Sequence, residues 1–184
     1  MWYVIQVKTG EENGIARKLK NQAIRAEVPI ENRPIRSGGA WTKKEYILFP
    51  GYVFLDMDFT ARNYYRVKEV PGVIRFLGDS KAPSTLSYLE AEWIRILSGN
   101  GEPLEPTLVR EDGSGGITVI SGVLKQLENR VLKWDKRSRK ATFEITICGE
   151  ARQVQLGIEV EGGGELQKAC LLYTSPSPRD TERS

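Results

Sequence analysis

Between Tyr46 and Phe59 an apolar run is interrupted by Phe49-Pro50-Gly51-Tyr52. It then alternates, with Val53 and Leu55 on one side and Phe54 and Asp56 on the other. Alternation of this kind, rich in aromatic and β-branched residues, predicts a half-buried strand. Proline lacks a ladder donor and glycine permits a kink, so the strand is expected to bend or bulge at the Pro-Gly pair. Two aromatics flanking a fixed bend leave two readings open: a corner of the core, or a surface built to receive a partner.

The rest of the N-terminal half shows related patterns. Trp2 to Val7 alternates as a first strand, and a helical spacing then puts Ile15, Leu19 and Ala23 on one face with Arg17, Lys18 and Lys20 outside. Thr9 is the expected N-cap, and Glu11 and Glu12 suit the positive end of the helix dipole. Val28 to Ile35 is a second extended segment, its Pro29 favouring an edge. A turn at Ser37-Gly38-Gly39 joins it to the strand entered at Lys43, and the two read as a hairpin. Thr60 to Lys68 is a short helix capped near Thr60, and Val73 to Leu77 is a further strand. Ser87 to Leu97 is a second full helix, with Ser87 and Glu90 as a capping box and Leu89, Trp93 and Ile96 or Leu97 as its apolar face. The order β-α-β-β-α-β-α is that of a ferredoxin-like split βαβ domain with an added helix, α+β in class.

Residues 1–98 form this first domain. Residues 99–116, rich in Gly and Pro and holding Glu102, Glu105, Glu111 and Asp112 against Arg110 alone, are expected to be a flexible acidic linker. Over residues 117–161 the pattern changes to short strands, ITVI, NRVLKW, KATFEITI and ARQVQLGIEV, which predict a small β-barrel. Residues 170–184 fit neither domain. CLLYTSPSPRD looks like one reading frame of a sequencing-library adapter, and the tail is set aside as non-native.

Composition narrows the function. The chain has no histidine, which removes the commonest general base and most zinc sites. There is no phosphate-binding glycine loop, so binding rather than catalysis is expected, with no metal and no cofactor. Two cysteines, Cys148 and Cys170, build no disulfide framework, and no apolar run approaches a membrane span. A cytoplasmic monomer is the expectation. The net charge of +3 permits a nucleic-acid partner without requiring one.

WYVIQVKTGEE, LFPGYVFLDMDF and VPGVIRFLG resemble the N-terminal (NGN) domain of NusG-type transcription elongation factors, and GGITVISGVLKQLENRVLKWDKRSRKATFEI resembles the SH3-like KOW barrel that follows it. ENRPIRSGGAWTKK and the ending VQLGIEV are most similar to the specialised antiterminator branch called LoaP. The resemblance implies a protein that rides on bacterial RNA polymerase and suppresses pausing or termination. Phe49, Tyr52, Trp2 and Tyr3 would line an apolar depression that docks on the clamp helices of the largest subunit. Asn63, Tyr64 and Tyr65 stand where the family touches the polymerase gate loop. The barrel would recruit ribosomal protein, Rho or RNA, although Val123, Gln126 and Asn129 depart from the proline and glycines usual there.

Two basic clusters suit RNA, offering cations for phosphate and a ring for stacking. One is Lys133, Lys136, Arg137, Arg139 and Lys140 around Trp134; the other is Arg33, Arg36, Lys43 and Lys44 around Trp41. Either is also compatible with an ordinary solvated loop. A nascent RNA hairpin is the partner that the LoaP resemblance implies. Three functional readings follow: an operon-specific antiterminator, a housekeeping elongation and termination factor, or a KOW-containing ribosome accessory protein.

Overall fold

The computed structural model describes residues 1–79 and 81–162. In chain order its first strands and helices are β1 (Trp2–Val7), α1 (Glu12–Asn21), β2 (Arg25–Glu27), β3 (Ile30–Ser37), β4 (Ala40–Ile47), β5 (Tyr52–Asp56), α2 (Ala61–Lys68), β6 (Val73–Phe76) and α3 (Tyr88–Leu97). A four-stranded antiparallel sheet runs β2-β5-β1-β6, so the units β1-α1-β2 and β5-α2-β6 interleave. This is the ferredoxin-like split βαβ arrangement.

The sheet is apolar on both sides. Tyr3, Ile5, Val53 and Leu55 pack under α1 and α2, against Ile15, Leu19 and Val67. Val4 and Phe54 point the other way, toward Trp93, Ile94 and Leu97 of α3. β5 is therefore buried on both faces, not half-buried as its alternation suggested. The buried stripe of α3 is Glu90, Trp93, Ile94 and Leu97. Leu89, expected on that stripe, is exposed.

Local chemistry sets the ends of these elements. Thr60 Oγ1 accepts the Asn63 N–H at 3.1 Å, and Ser87 with Glu90 forms the reciprocal capping box. Thr9 does not cap α1; Glu11 holds the cap position without a side-chain bond. The Glu12 carboxylate instead turns inward, accepting the Gly10 N–H at 2.8 Å and the Gly51 N–H at 2.9 Å. α1 ends at Asn21, and Ala23 leaves the helical face with a φ of 63°.

At the Pro-Gly pair the strand stops outright. β4 ends at Ile47, Gly51 takes a φ of 85°, and β5 starts at Tyr52 in another sheet. β3 and β4 pair as a two-stranded hairpin outside the larger sheets, closed by Gly38-Gly39 at φ 59° and 81°. Both values suit the primed turn that matches strand twist.

The second domain has five strands: β7 (Thr107–Glu111), β8 (Ile117–Ser121), β9 (Val131–Asp135), β10 (Lys140–Ile147) and β11 (Glu150–Val160). They curl in the order β8-β7-β11-β10-β9, with β7 parallel to β11. β7 lies inside the span 99–116 expected to be linker. It is a strand because Thr107 and Val109 are buried and Thr107 Oγ1 accepts the Leu124 N–H. The Gly and Asp residues after it form a turn, in which Asp112 accepts the Ser114 and Gly116 N–H groups. Leu104 is also held, exchanging backbone hydrogen bonds with β3 at Ile30 and Asn32. Leu124 and Leu127, in short 3-10 turns, plug the barrel core beside Phe143 and Ile145. Neither Gln126 nor Asn129 takes a positive φ, so neither place requires glycine. The tail assigned to residues 170–184 lies outside the described residues.

Replacing Glu12 with Ala leaves two inward N–H groups without an acceptor. The expected outcome is a loss of about 2–3 kcal/mol in urea-unfolding free energy. Glu12→Gln supplies one acceptor oxygen and should recover only part of it. An alanine variant as stable as the parent would show that the carboxylate does not hold the turn.

Candidate docking face and nucleic-acid interface

The Phe49-to-Tyr52 turn packs on the side of the sheet that carries α3, with Pro50 alone of its four residues exposed. Val7 donates its N–H to Gly51 O at 2.8 Å and Glu12 accepts the Gly51 N–H, so both chain directions at the turn are anchored to the β1–α1 connection. Phe49 meets Phe54 edge-to-face, with ring centroids 5.3 Å apart. With Val4, Tyr52 and Trp93 they make an apolar face, and Trp2 packs at its edge. Sequence reasoning overlooked Val4, Phe54 and Trp93 as parts of this face, although the spacing of Glu90, Trp93, Ile94 and Leu97 marks the α3 contribution.

One of the aromatics expected here is elsewhere. Tyr3 alternates with Trp2 along β1 and so lies on the opposite side, in a ring cluster with Phe59 and Phe76. Tyr64 belongs to that cluster too, stacked on Phe76 at 5.2 Å. Asn63 is occupied locally, donating from its side chain to Asp58 O at 2.9 Å. Tyr65 alone of the three α2 residues projects, at 62% exposure.

The apolar face is covered by the barrel, and the two domains share one continuous core cluster. Polar contacts rim it. Gly149 donates its N–H to Glu90 Oε1 at 3.0 Å, Arg130 lies 4.3 Å over the Trp93 ring, and Arg152 lies 5.2 Å over Tyr52. No sequence signal marked these barrel arginines as partners for rings in the first domain.

The β3–β4 hairpin forms the second part of the seam. Glu31, buried on β3, accepts the Gly157 N–H of β11 at 2.8 Å and pairs with Arg33. Arg33 also donates to Gln155 O at 3.2 Å. A side chain at Gly157 would meet Pro34 Cδ at 2.5 Å, so the two strands approach as closely as they do because this residue is glycine. Burial pushes the Glu31 carboxyl above its usual range, against the opposing pull of the Gly157 N–H and Arg33. Glu105 moves the other way, held low by hydrogen bonds from Asn32 and Lys43.

This seam sorts the expected nucleic-acid residues. Arg33 is committed to Glu31; Lys43 pairs with Glu105 at 2.7 Å and Glu159 at 4.0 Å; Lys136 pairs with Glu111. Lys44 lies 5.6 Å over Tyr46, and Lys133 is exposed on β9. Arg36 and Trp41 of the hairpin, however, face Arg137 and Lys140 of the barrel across one open cleft of about 570 Å3. Arg139 reaches over the Trp41 ring at 4.2 Å, with Arg36 at 5.9 Å. Trp134 is half-buried against the barrel core.

Comparisons with known proteins agree with this architecture. The family model described as "Transcription termination factor nusG" matches residues 1–95. The chain is 28% identical over 165 residues to the transcription termination/antitermination protein NusG of Helicobacter pylori (strain J99 / ATCC 700824), covering 84% of this chain and 93% of that one. It is 29% identical over 167 residues to the protein of that name from Buchnera aphidicola subsp. Acyrthosiphon pisum, covering 84% and 91%. Among solved structures it is similar to one described as "Domain interaction in Thermotoga maritima NusG", with a TM-score of 0.53 at 23% identity, covering 85% of this chain and 93% of that one. At that identity the structural likeness speaks for the fold alone.

The seam generates a pH prediction. Because the folded-state pKa of Glu31 is raised, its contribution is full below the ordinary carboxylate pKa and is lost as pH rises through the raised value. Urea midpoints of the parent and of Glu31→Gln, compared as pH falls from neutral, should therefore diverge in favour of the parent. A constant difference would remove Glu31 as a buried titrating group.

Proposed function

The chain belongs to the NusG family of transcription factors, and from that premise we propose that it binds RNA polymerase and promotes processive, antiterminating transcription. One observation carries this reading. The face built by Val4, Phe49, Tyr52, Phe54 and Trp93 is apolar enough to require a cover, and the cover it has is a separate small domain. Aromatic-lined apolar grooves take amphipathic helices, and Tyr and Trp dominate the energetics of such contacts. The polymerase clamp helices are the occupant that the family resemblance implies.

Clamp helices and barrel compete for one surface, so docking shifts a two-state equilibrium: barrel seated, or barrel released and polymerase bound. Tyr65, on the α2 side of the sheet, points away from that surface and is available to the gate loop while the docking face is engaged. A factor that touches both would hold the polymerase cleft closed, with no chemical step of its own. Recruitment is by a nascent RNA hairpin, which makes the action operon-specific. The released barrel is available to a ribosomal protein or Rho.

A general elongation factor is the second reading, and the names of the curated relatives favour it. Mapping the protein along the genome separates the two. The specialised reading expects occupancy confined to the transcripts of one or a few operons, whereas a general factor would follow polymerase throughout. For docking itself, Tyr52→Glu should reduce retention on immobilised polymerase at least about tenfold while far-UV circular dichroism shows the protein still folded, even though the lost Arg152 contact lowers its urea midpoint. Normal retention by a folded Tyr52→Glu protein would rule out this face as the docking surface.

A further inference from the structure

We propose that the β3–β4 hairpin and the β9–β10 turn are the two halves of one binding cleft for single-stranded RNA, a cleft that exists only while the barrel is seated. It deepens the RNA-recruited reading above and rests on it for the class of ligand. The residues are a hundred positions apart in sequence, yet Arg36 and Trp41 face Arg137 and Lys140 across the cleft, with Pro34 and Ile35 on its wall. The hairpin's share is a two-stranded ribbon, and the barrel's share is Arg137 and Ser138 of the β9–β10 turn with Lys140 at the start of β10.

The lining selects the ligand. The volume of about 570 Å3 is within the range of small-ligand sites and is open along one side, which suits a chain passing through. Trp41, backed by the buried Arg139, and the planar guanidinium of Arg36 line the cleft with aromatic and cationic groups of the kind on which unpaired bases stack. Lys140 and Arg137 place positive charge where the phosphates of such a strand would run. An acidic protein segment would use the cations but gain little from the ring. The paired stem of the recruiting hairpin would present its phosphates but not its base faces, whereas its unpaired loop presents both. Arg139 strengthens the case: it is a non-glycine residue at φ 55°, and from that conformation its buried side chain reaches Trp41 in the other domain.

Because the cleft spans the seam, RNA binding and barrel seating are linked, and the linkage is reciprocal. RNA held in the cleft favours the covered docking face; polymerase, by releasing the barrel, dismantles the cleft. The RNA is thus a capture site relinquished on docking, not a permanent tether.

The test exploits Gly157, which lies on the seam and does not line the cleft. Gly157 has no left-handed φ, so Gly157→Val leaves β11 unstrained while its side chain collides with Pro34 and separates hairpin from barrel. Glu31→Ala opens the same seam by removing the acceptor of the Gly157 N–H. Binding of a fluorescent oligouridine to the full chain is followed by anisotropy, with far-UV and near-UV circular dichroism to establish that each variant is folded. Arg36→Glu on one side and Arg137→Glu with Lys140→Glu on the other should each weaken binding about tenfold or more. Gly157→Val and Glu31→Ala should weaken it comparably although neither removes a cation. Adding Gly157→Val to either charge reversal should cost little further. If both folded seam variants bind RNA like the parent, or if the losses from the two arms simply add, there are two separate patches and no composite cleft. Displacement of the RNA by polyaspartate at equal charge concentration would overturn the proposal in favour of an acidic protein ligand. Polymerase retention is read separately, and Gly157→Val should not diminish it; its loss would count against the docking assignment and leave the cleft standing.

Discussion

β5 is apolar on both faces, and the rest of the architecture answers that constraint. α1 and α2 cover the side that carries Val53 and Leu55. α3 and the barrel share the side that carries Phe54 and Phe49. Apolar surface costs roughly 25 cal/mol for each Å2 left in water, and contiguous patches beyond a few hundred Å2 are rarely left open. The barrel supplies the missing layer. Under the proposed function, the need that seats the barrel is the need a matched apolar partner would meet in its place.

Three buried carboxylates, Glu12, Glu31 and Glu90, divide the polar work, and Glu90 joins its capping box to the barrel's Gly149 N–H. Glu12 acts within the first domain, fixing the turn that presents Phe49 and Tyr52. Glu31 acts between domains, and because it takes a backbone N–H of β11 its grip depends on strand position and on the absence of a side chain at residue 157. Around them the seam relies on arginines laid over rings, three from the barrel onto Tyr52, Trp93 and Trp41. Contacts of that kind contribute about 0.5–2 kcal/mol each and make no deep interlock. They rim an apolar seam filled by the shared core cluster, so separating the two domains would also expose that apolar surface.

Most of the first domain was legible because its signals are local. Ser87 with Glu90 specifies a helix start, Gly38-Gly39 specifies a hairpin turn, and alternation marks β1. β7 was hidden because its five residues sit among Gly, Pro and acidic residues, and what makes them a strand is a neighbour, β11, some fifty positions later. Tyr3 was misplaced by treating adjacent aromatics as one patch, although neighbours on a strand face opposite ways. Thr9 was a reasonable cap by residue type, but the buried role of Glu12 depends on Gly51, far off in sequence. The two basic clusters were visible one by one. Their meeting was not, since no local pattern brings Arg36 to Lys140; Arg33 and Lys136 are engaged with acidic partners within their own domains, and Lys43 with Glu105 and with Glu159 of the barrel.

The strand order of the barrel also bears on how the molecule comes into being. β11, the last strand described, lies in the middle of its sheet, between β7 and β10. The barrel therefore has no complete sheet until Val160 has been made, whereas every element of the first domain is present by Leu97. At the usual pace of synthesis the intervening stretch takes on the order of several seconds. For that interval the Phe49–Tyr52 face has no barrel over it. The barrel is thus the last layer over this face to be completed, after every strand and helix beneath it has been made.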